Sequence, residues 1–330
     1  MPLPSPFSSR LAPPRRLPAS VLETFDAHDA TPHCTGCGWR ATLDHVPLFR
    51  YCFCPRCERG FQVSLGDGRY DYQALLDEGP DTRLFFATDV RLERSVSLLY
   101  YKPAAPGAPQ LAVPPDLRAK HEALTLAKLV HPGIVRIHLI EEQQCRPALV
   151  IESLLGTLAQ PIAYGMTAEV AAAAGLLYQM ADALRAAADA GHFHHRLMPD
   201  RVGLDVHHAP KLMGFGHQRP TDFMPGLRPV EAAFLAPEVR VLSPDADQRA
   251  DVFSLGMLTY ALLAGCYPVV PRRRGSVPPV TKFRPDVPAA FAALLTDMIA
   301  HDANARPASH DQLLKRLDRM GAAGPLNAAA

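Results

Sequence analysis

The sequence predicts an α+β chain of two lobes, the first rich in strands and the second helical, with a small cysteine-bearing module in front. Three observations predict it. Short strand-like apolar runs fill the stretch from Tyr70 to Glu152, whereas longer helical segments dominate after it. Between Phe193 and Gly216 the pattern reads as loop, short strand, tight turn, short strand and loop, directly after an alanine-rich helix. Two C-x-x-C pairs, Cys34/Cys37 and Cys54/Cys57, sit ahead of both lobes.

The middle observation organises the chain. The alanine-rich segment Thr167–Ala190 predicts a helix with Gly191 as its C′ residue. F-H-H-R-L-M-P-D-R follows, then the apolar runs Arg201–Leu204 and Lys211–Met213 around His207-His208-Ala209-Pro210, then G-F-G. Order and residues resemble the catalytic and metal-binding loops of the bacterial eukaryotic-type (Hanks-type) Ser/Thr protein kinases, where H-R-D-L-K-P-x-N precedes D-F-G. The resemblance aligns His194 with the family's His, Arg196 with its catalytic Asp, Met198 with its Lys and Arg201 with its Asn. Gly214 falls on the metal-binding Asp, with Phe215 and Gly216 retained. The frame is present, but the residues that carry its chemistry are replaced.

Taken in order, residues 1–30 are proline-rich without periodicity, which predicts a disordered leader. No apolar stretch reaches the length of a membrane span, no secretory signal is present, and a cytoplasmic location is the expectation. Cysteines in that compartment are thiols or metal ligands. Residues 31–66 resemble a zinc ribbon: sixteen residues separate the two C-x-x-C turns, and a tetrahedral Zn²⁺ closes such a set at about 2.3 Å from each sulfur. Cys52 competes with Cys54 for one position; Cys54 is preferred because its spacing to Cys57 matches the first pair. Buried unliganded thiols and a redox dithiol are the other readings, the latter without the βαβ context it usually has.

A kinase-like domain over 70–320 follows, with a small lobe at 70–152, a large lobe at 153–320 and a tail at 321–330. Leu75–Ala87 occupies the place of the family's glycine-rich loop, but only Gly79 of the three glycines is there, and Asp77 and Thr82 replace the others. Val96-Ser97-Leu98-Leu99 stands for V-A-I-K, so Leu99 replaces the phosphate-gripping lysine; Lys102 is the nearest substitute. Asp116 is a plausible N-cap of a helix running to Val130. On that helix Glu122 falls on the family's lysine-pairing glutamate, here without its lysine, and so reads as solvent-facing or locally paired. Ile137–Glu141 and Ala148–Glu152 read as strands, and Ile151–Leu155 as the hinge.

In the large lobe Ala236-Pro237-Glu238, Asp251-Val252-Phe253-Ser254-Leu255-Gly256 and Arg306-Pro307 match further family motifs. The resemblance implies a Glu238–Arg306 ion pair and an Asp251 carboxylate that accepts N–H bonds from the catalytic loop. Ser309 to Gln312 forms a capping box, and Leu313, Leu317 and Met320 share one helix face.

The family holds Mg²⁺ on its D-F-G Asp and catalytic-loop Asn and orients the substrate with another Asp. Gly214, Arg201 and Arg196 take those positions, and losing a positioned base alone costs about 10²–10⁴-fold. Neither Asp200 nor Asp205 offers the missing spacing. ATP and Mg²⁺ are therefore not expected as cofactors, Zn²⁺ is expected in a structural role, and no residue is assigned a catalytic part. The expected function is that of a pseudokinase, a binding, scaffold or regulatory protein whose partner is another protein, phosphorylated or acidic. The alternative is an enzyme with ATP binding and displaced phosphoryl or nucleotidyl transfer. The changed cleft residues make Arg196 and Arg201 either a metal-independent anion site, partners of Glu122, Asp200 or Asp205, or solvent-facing side chains.

A formal net charge of +1 gives no reason to expect a membrane or nucleic-acid partner. In residues 31–66 four arginines face Asp44 and Glu58, and a Zn²⁺ with four thiolates would cancel their excess. Arg272-Arg273-Arg274, flanked by proline, reads as a solvated loop.

Overall fold

Alternation of side chains along three consecutive strands builds the first lobe, seen here in a computed structural model. It describes residues 34, 36–40, 51–62, 65–66, 69–79, 81–102, 113–143, 146–216, 232–268 and 277–321. The leader at 1–30, the arginine run at 272–274 and the tail from 322 lie outside the described residues. Strands β1 (Tyr51–Phe53) and β2 (Gly60–Gln62) form a separate antiparallel hairpin beside the cysteines.

The lobe's sheet contains β3 (Leu65–Gly66), β4 (Tyr70–Glu78), β5 (Thr82–Asp89), β6 (Arg94–Tyr101), β7 (Ile137–Gln143) and β8 (Arg146–Ile151). Their order is β3-β4-β5-β6-β8-β7, antiparallel throughout. Leu84, Leu99, Tyr101, Leu149 and Ile151 join the main core on one face. Tyr70, Tyr72, Phe85, Leu98, Tyr100 and Val150 build a second core on the other. Both faces are thus buried, which is why β6 is almost continuously apolar. Phe85 makes edge contacts with Tyr72 and Tyr100 at 5.7 and 5.8 Å between ring centres, and the two tyrosine hydroxyls hydrogen-bond each other.

Helix α1 (Pro115–Leu126) packs on the inner face through Ala119, Ala123 and Leu126. It begins differently from the expectation. Pro115 occupies the first turn, where a missing N–H costs nothing, and Asp116 lies inside that turn and does not cap it. The helix also ends at Leu126, four residues before Val130.

The second lobe is helical: α2 (Ala159–Ala163), α3 (Val170–Asp189), α4 (Pro237–Arg240), α5 (Gln248–Ala264), α6 (Ala289–Met298) and α7 (His310–Arg319). Helix α5 is buried at every position from Ala250 to Leu263, and α3, α6 and α7 pack on it. Gly191 at φ +80° ends α3, with its N–H donating to Ala188 O and that of His192 to Ala187 O, the paired bonds of a Schellman motif. The expected hairpin is β10 (Val202–Leu204) with β11 (Pro210–Leu212), and β9 (Gly156–Thr157) pairs on the other side of β10. Asp205 closes the turn by accepting from the N–H groups of His207 and Ala209. The Ser309 hydroxyl caps α7 by accepting from Gln312 N. No described helix is long and apolar enough to cross a membrane.

The ion pair expected between Glu238 and Arg306 is bidentate, at 2.6 and 3.0 Å. Arg306 also donates to the carbonyls of Ala300, Arg249 and His301 and lies 4.9 Å from the Phe253 ring centre. Its side chain is fully buried, so truncation strands the carboxylate and three carbonyls together. Arg306→Ala is expected to lower stability by about 3 kcal/mol or more, measurable by urea denaturation.

Candidate functional site

The loop after α3 is held by one buried carboxylate. Asp251 near the start of α5 accepts from His194 N at 2.8 Å and from His195 N at 2.6 Å, as the sequence implied. His195 adopts a left-handed backbone at φ +57° to present its N–H. The His194 ring lies tilted against Phe215, 4.7 Å between ring centres, and its Nε2 meets Met213 O at 2.9 Å. Burial lowers its pKa to about 4, so it is a neutral structural ring.

Replaced positions follow a common logic of packing. Leu99 is buried in the core facing Leu149, and Met198 is likewise buried. Glu122 is neither solvent-facing nor paired with an arginine: it is fully buried, Tyr101 Oη donates to its Oε2, and Gly214 N donates to its Oε1 at 2.6 Å. Tyr101 stands two residues after Leu99, on the same face of β6. Burial raises the Glu122 carboxyl pKa, against the opposing pull of Arg201 and of these hydrogen bonds. Gly214 has φ +93°, and a Cβ there would lie 2.8 Å from the Arg201 side chain. Arginine at 201 and glycine at 214 are therefore one coupled feature, because the arginine's stem lies in the space a side chain at 214 would need.

Arg196 and Arg201 both turn to Asp81, a residue the sequence reading did not single out. Asp81 lies in the turn between β4 and β5. Arg196 Nη1 meets Asp81 Oδ2 at 2.7 Å, Arg118 Nη1 meets the same oxygen at 3.1 Å, and Arg201 Nη2 pairs with Oδ1. Arg118 comes from α1 and also donates to Lys102 O. Burial acts to lower the Arg201 pKa, but Asp81, Asp200 and Glu122 outweigh it and hold the guanidinium charged.

The expected pairing with Asp205 does not form. Asp200 does approach Arg201, at 3.4 Å, and it packs beneath Gly79, where a Cβ would come 2.6 Å from its Oδ2. Lys102 pairs with Glu78 at 3.0 Å and donates to Gly79 O at 2.8 Å, so it braces the turn and is not directed at Glu122. Burial pushes the Asp77 carboxyl up to about 7, with Asp200 adding to the rise and Arg201 opposing it.

The sulfurs of Cys34, Cys37, Cys54 and Cys57 all lie within 4.8 Å of one another. Cys34 and Cys57 sulfurs are 3.7 Å apart and those of Cys37 and Cys54 are 3.6 Å apart. Each pair sits on a tight turn whose amides point at sulfur: Gly36 N to Cys34 Sγ at 3.3 Å and Arg56 N to Cys54 Sγ at 3.4 Å. A tetrahedral ion with metal–sulfur bonds of about 2.3 Å sets sulfurs about 3.8 Å apart, so the cluster fits Zn²⁺. Among the described residues the cluster contains Cys54; Cys52 is paired with Phe61 in the β1–β2 hairpin.

With this geometry in place, comparison with known proteins settles the family. A protein kinase domain model matches residues 114–316, more than half of the chain. The chain belongs to the protein kinase family. The kinase-family match begins at the start of α1, after β4–β6. Similar proteins include the DNA damage-responsive serine/threonine-protein kinase RqkA of Deinococcus radiodurans, 30% identical over 263 residues that cover 73% of this chain and 38% of RqkA. The serine/threonine-protein kinase PknL of Mycobacterium tuberculosis is 30% identical over 212 residues, covering 63% of this chain and 52% of PknL. PknA of the same organism is 29% identical over 211 residues, covering 61% and 48%. The chain thus spans between 38% and 52% of the length of these relatives.

Two outcomes follow from the cleft. Gly214→Asp is expected to destabilise the protein, by about 1–3 kcal/mol for the strained backbone alone, and Arg201→Asn in the same chain should recover part of the loss; thermal melts of the three variants check it. Asp77 keeps its proton in the folded state between about pH 4 and 7, where the unfolded chain releases it, so its contribution to stability falls as pH rises through that window. Asp77→Asn should match the parent near pH 4 and exceed it by about 1 kcal/mol or more at pH 8, as read by denaturation at each pH.

Proposed function

We propose that this kinase-family chain is a pseudokinase, a binding or scaffold protein that engages another protein without transferring phosphate. One observation carries the reading: a carboxylate of the chain itself is bound by Arg118, Arg196 and Arg201 where the family handles nucleotide phosphates and Mg²⁺. No acid stands at 196, 201 or 214, and arginines at two of those positions repel a divalent cation. The residues that brace the fold, Asp251, Glu238 and Arg306, keep their contacts, which supports retention of the fold for binding. Incubating the full chain with labelled ATP and Mg²⁺ is expected to give no incorporation into itself or generic protein substrates. Incorporation that Asp200→Asn abolishes would overturn the reading and identify Asp200 as a relocated acid.

The same reading places a structural zinc module at 31–66 ahead of a kinase-like domain at 70–320. Four thiolates form a closed ligand set without a position for substrate, so bound Zn²⁺ would supply cross-linking in a segment too small for a core of its own. Elemental analysis should find a single Zn²⁺ per chain. Cys54→Ser should lose it, and Cys52→Ser should keep it.

A second reading, an active transferase with displaced chemistry, is favoured by the relatives, whose names are those of serine/threonine-protein kinases. It requires the turn carrying Asp81 to leave the cleft and a carboxylate to take over the metal.

A further inference from the structure

The anion that the three arginines hold is a poor match for them. Arg118, Arg196 and Arg201 present three guanidiniums to the carboxylate of Asp81, with Asp200 at 3.4 Å from Arg201 and the Glu122 carboxyl also acting on it. Asp81 has two oxygens and all three guanidiniums share them. Arg201 is 1% exposed, yet its Nη1 has no hydrogen-bond partner among the described residues, and its Nε faces Asp200 Oδ2 at 3.4 Å without a formed hydrogen bond. Buried donors of a charged group without acceptors are costly. A dianion with three free oxygens satisfies both deficits, because it adds a charge and an acceptor where Asp81 has none.

Accessibility points the same way. The side chain of Asp81 is 18% exposed, whereas those of Arg196 and Arg201 are 4% and 1% exposed, so the carboxylate is the outermost member of the cluster. It sits on the short turn between β4 and β5.

We propose that Arg118, Arg196 and Arg201 form a metal-independent receptor for a phosphate monoester, which the carboxylate of Asp81 occupies from within when no such ligand is present. The ligand class is set by charge and oxygen count, and a phosphorylated side chain of a partner protein is the source that the proposed binding role requires. This rests on the non-catalytic reading of the cleft.

The test titrates the full parent chain, Asp81→Asn and Asp81→Asn/Arg196→Met with inorganic phosphate, a phosphoserine peptide, acetate and ATP, each in EDTA and in Mg²⁺. Asp81→Asn is expected to bind inorganic phosphate at least tenfold more tightly than the parent, acetate more weakly than phosphate, and the double variant to lose at least tenfold. If Asp81→Asn is unfolded in buffer, phosphate is expected to restore its folded circular dichroism; no restoration overturns the proposal. Equal phosphate binding by the parent and a folded Asp81→Asn, or by the single and double variants, overturns it as well. Binding of inorganic phosphate without gain from the peptide keeps the receptor and removes the partner protein as its source. Phosphate binding that needs Mg²⁺, together with Mg²⁺-dependent ATP binding, defeats the non-catalytic reading itself; absence of phosphate binding under every condition defeats only the receptor.

Discussion

A single carboxylate ties the two lobes together across their cleft. Asp81 projects from the small-lobe sheet, Arg118 from α1, and Arg196 and Arg201 from the loop that Asp251 supports, so one side chain links three elements. Buried charges of this kind contribute little net stability when paired, because desolvation consumes the Coulomb gain. They impose a large penalty when a partner is removed. The arrangement therefore acts mainly as a constraint: once the arginines are buried there, some anion must be present. Asp81 meets that requirement from within the chain.

The altered residues make sense as a set. Glu122 is buried without a basic partner, and the Tyr101 hydroxyl donates to its carboxylate while Gly214 adds a backbone N–H. A long arginine at 201 needs the volume over position 214, and glycine supplies both the space and the positive φ. Gly216, at φ +100°, lets the same loop run against α1, where a Cβ would come 2.7 Å from His121 O.

Much of this frame was legible in the sequence because short motifs carry it. The hairpin after His194, the Asp251 brace, the Glu238–Arg306 pair and the four cysteines each depend on residues whose spacing or neighbours announce them. The partner of the arginines was not legible. Asp81 is 115 and 120 residues from Arg196 and Arg201, and nothing local distinguishes an aspartate in a Gly-Pro-Asp turn from a solvated one. Arg118 was hidden likewise among the polar positions of α1. Tyr101 did leave a signal, its two-residue offset from Leu99 on a buried strand, which places its hydroxyl on the face where the lysine is missing. Asp116 failed as a cap for a local reason, since the two prolines before it start the helix without side-chain help.

The account stands on the claim that arginines and an internal carboxylate have replaced the metal-nucleotide machinery of the family. Calorimetric titration of the full chain with ATP, once in excess Mg²⁺ and once in EDTA, tests it most directly. An affinity that Mg²⁺ leaves unchanged or weakens is the predicted result; an affinity that Mg²⁺ raises tenfold or more, about 1.4 kcal/mol, would contradict it.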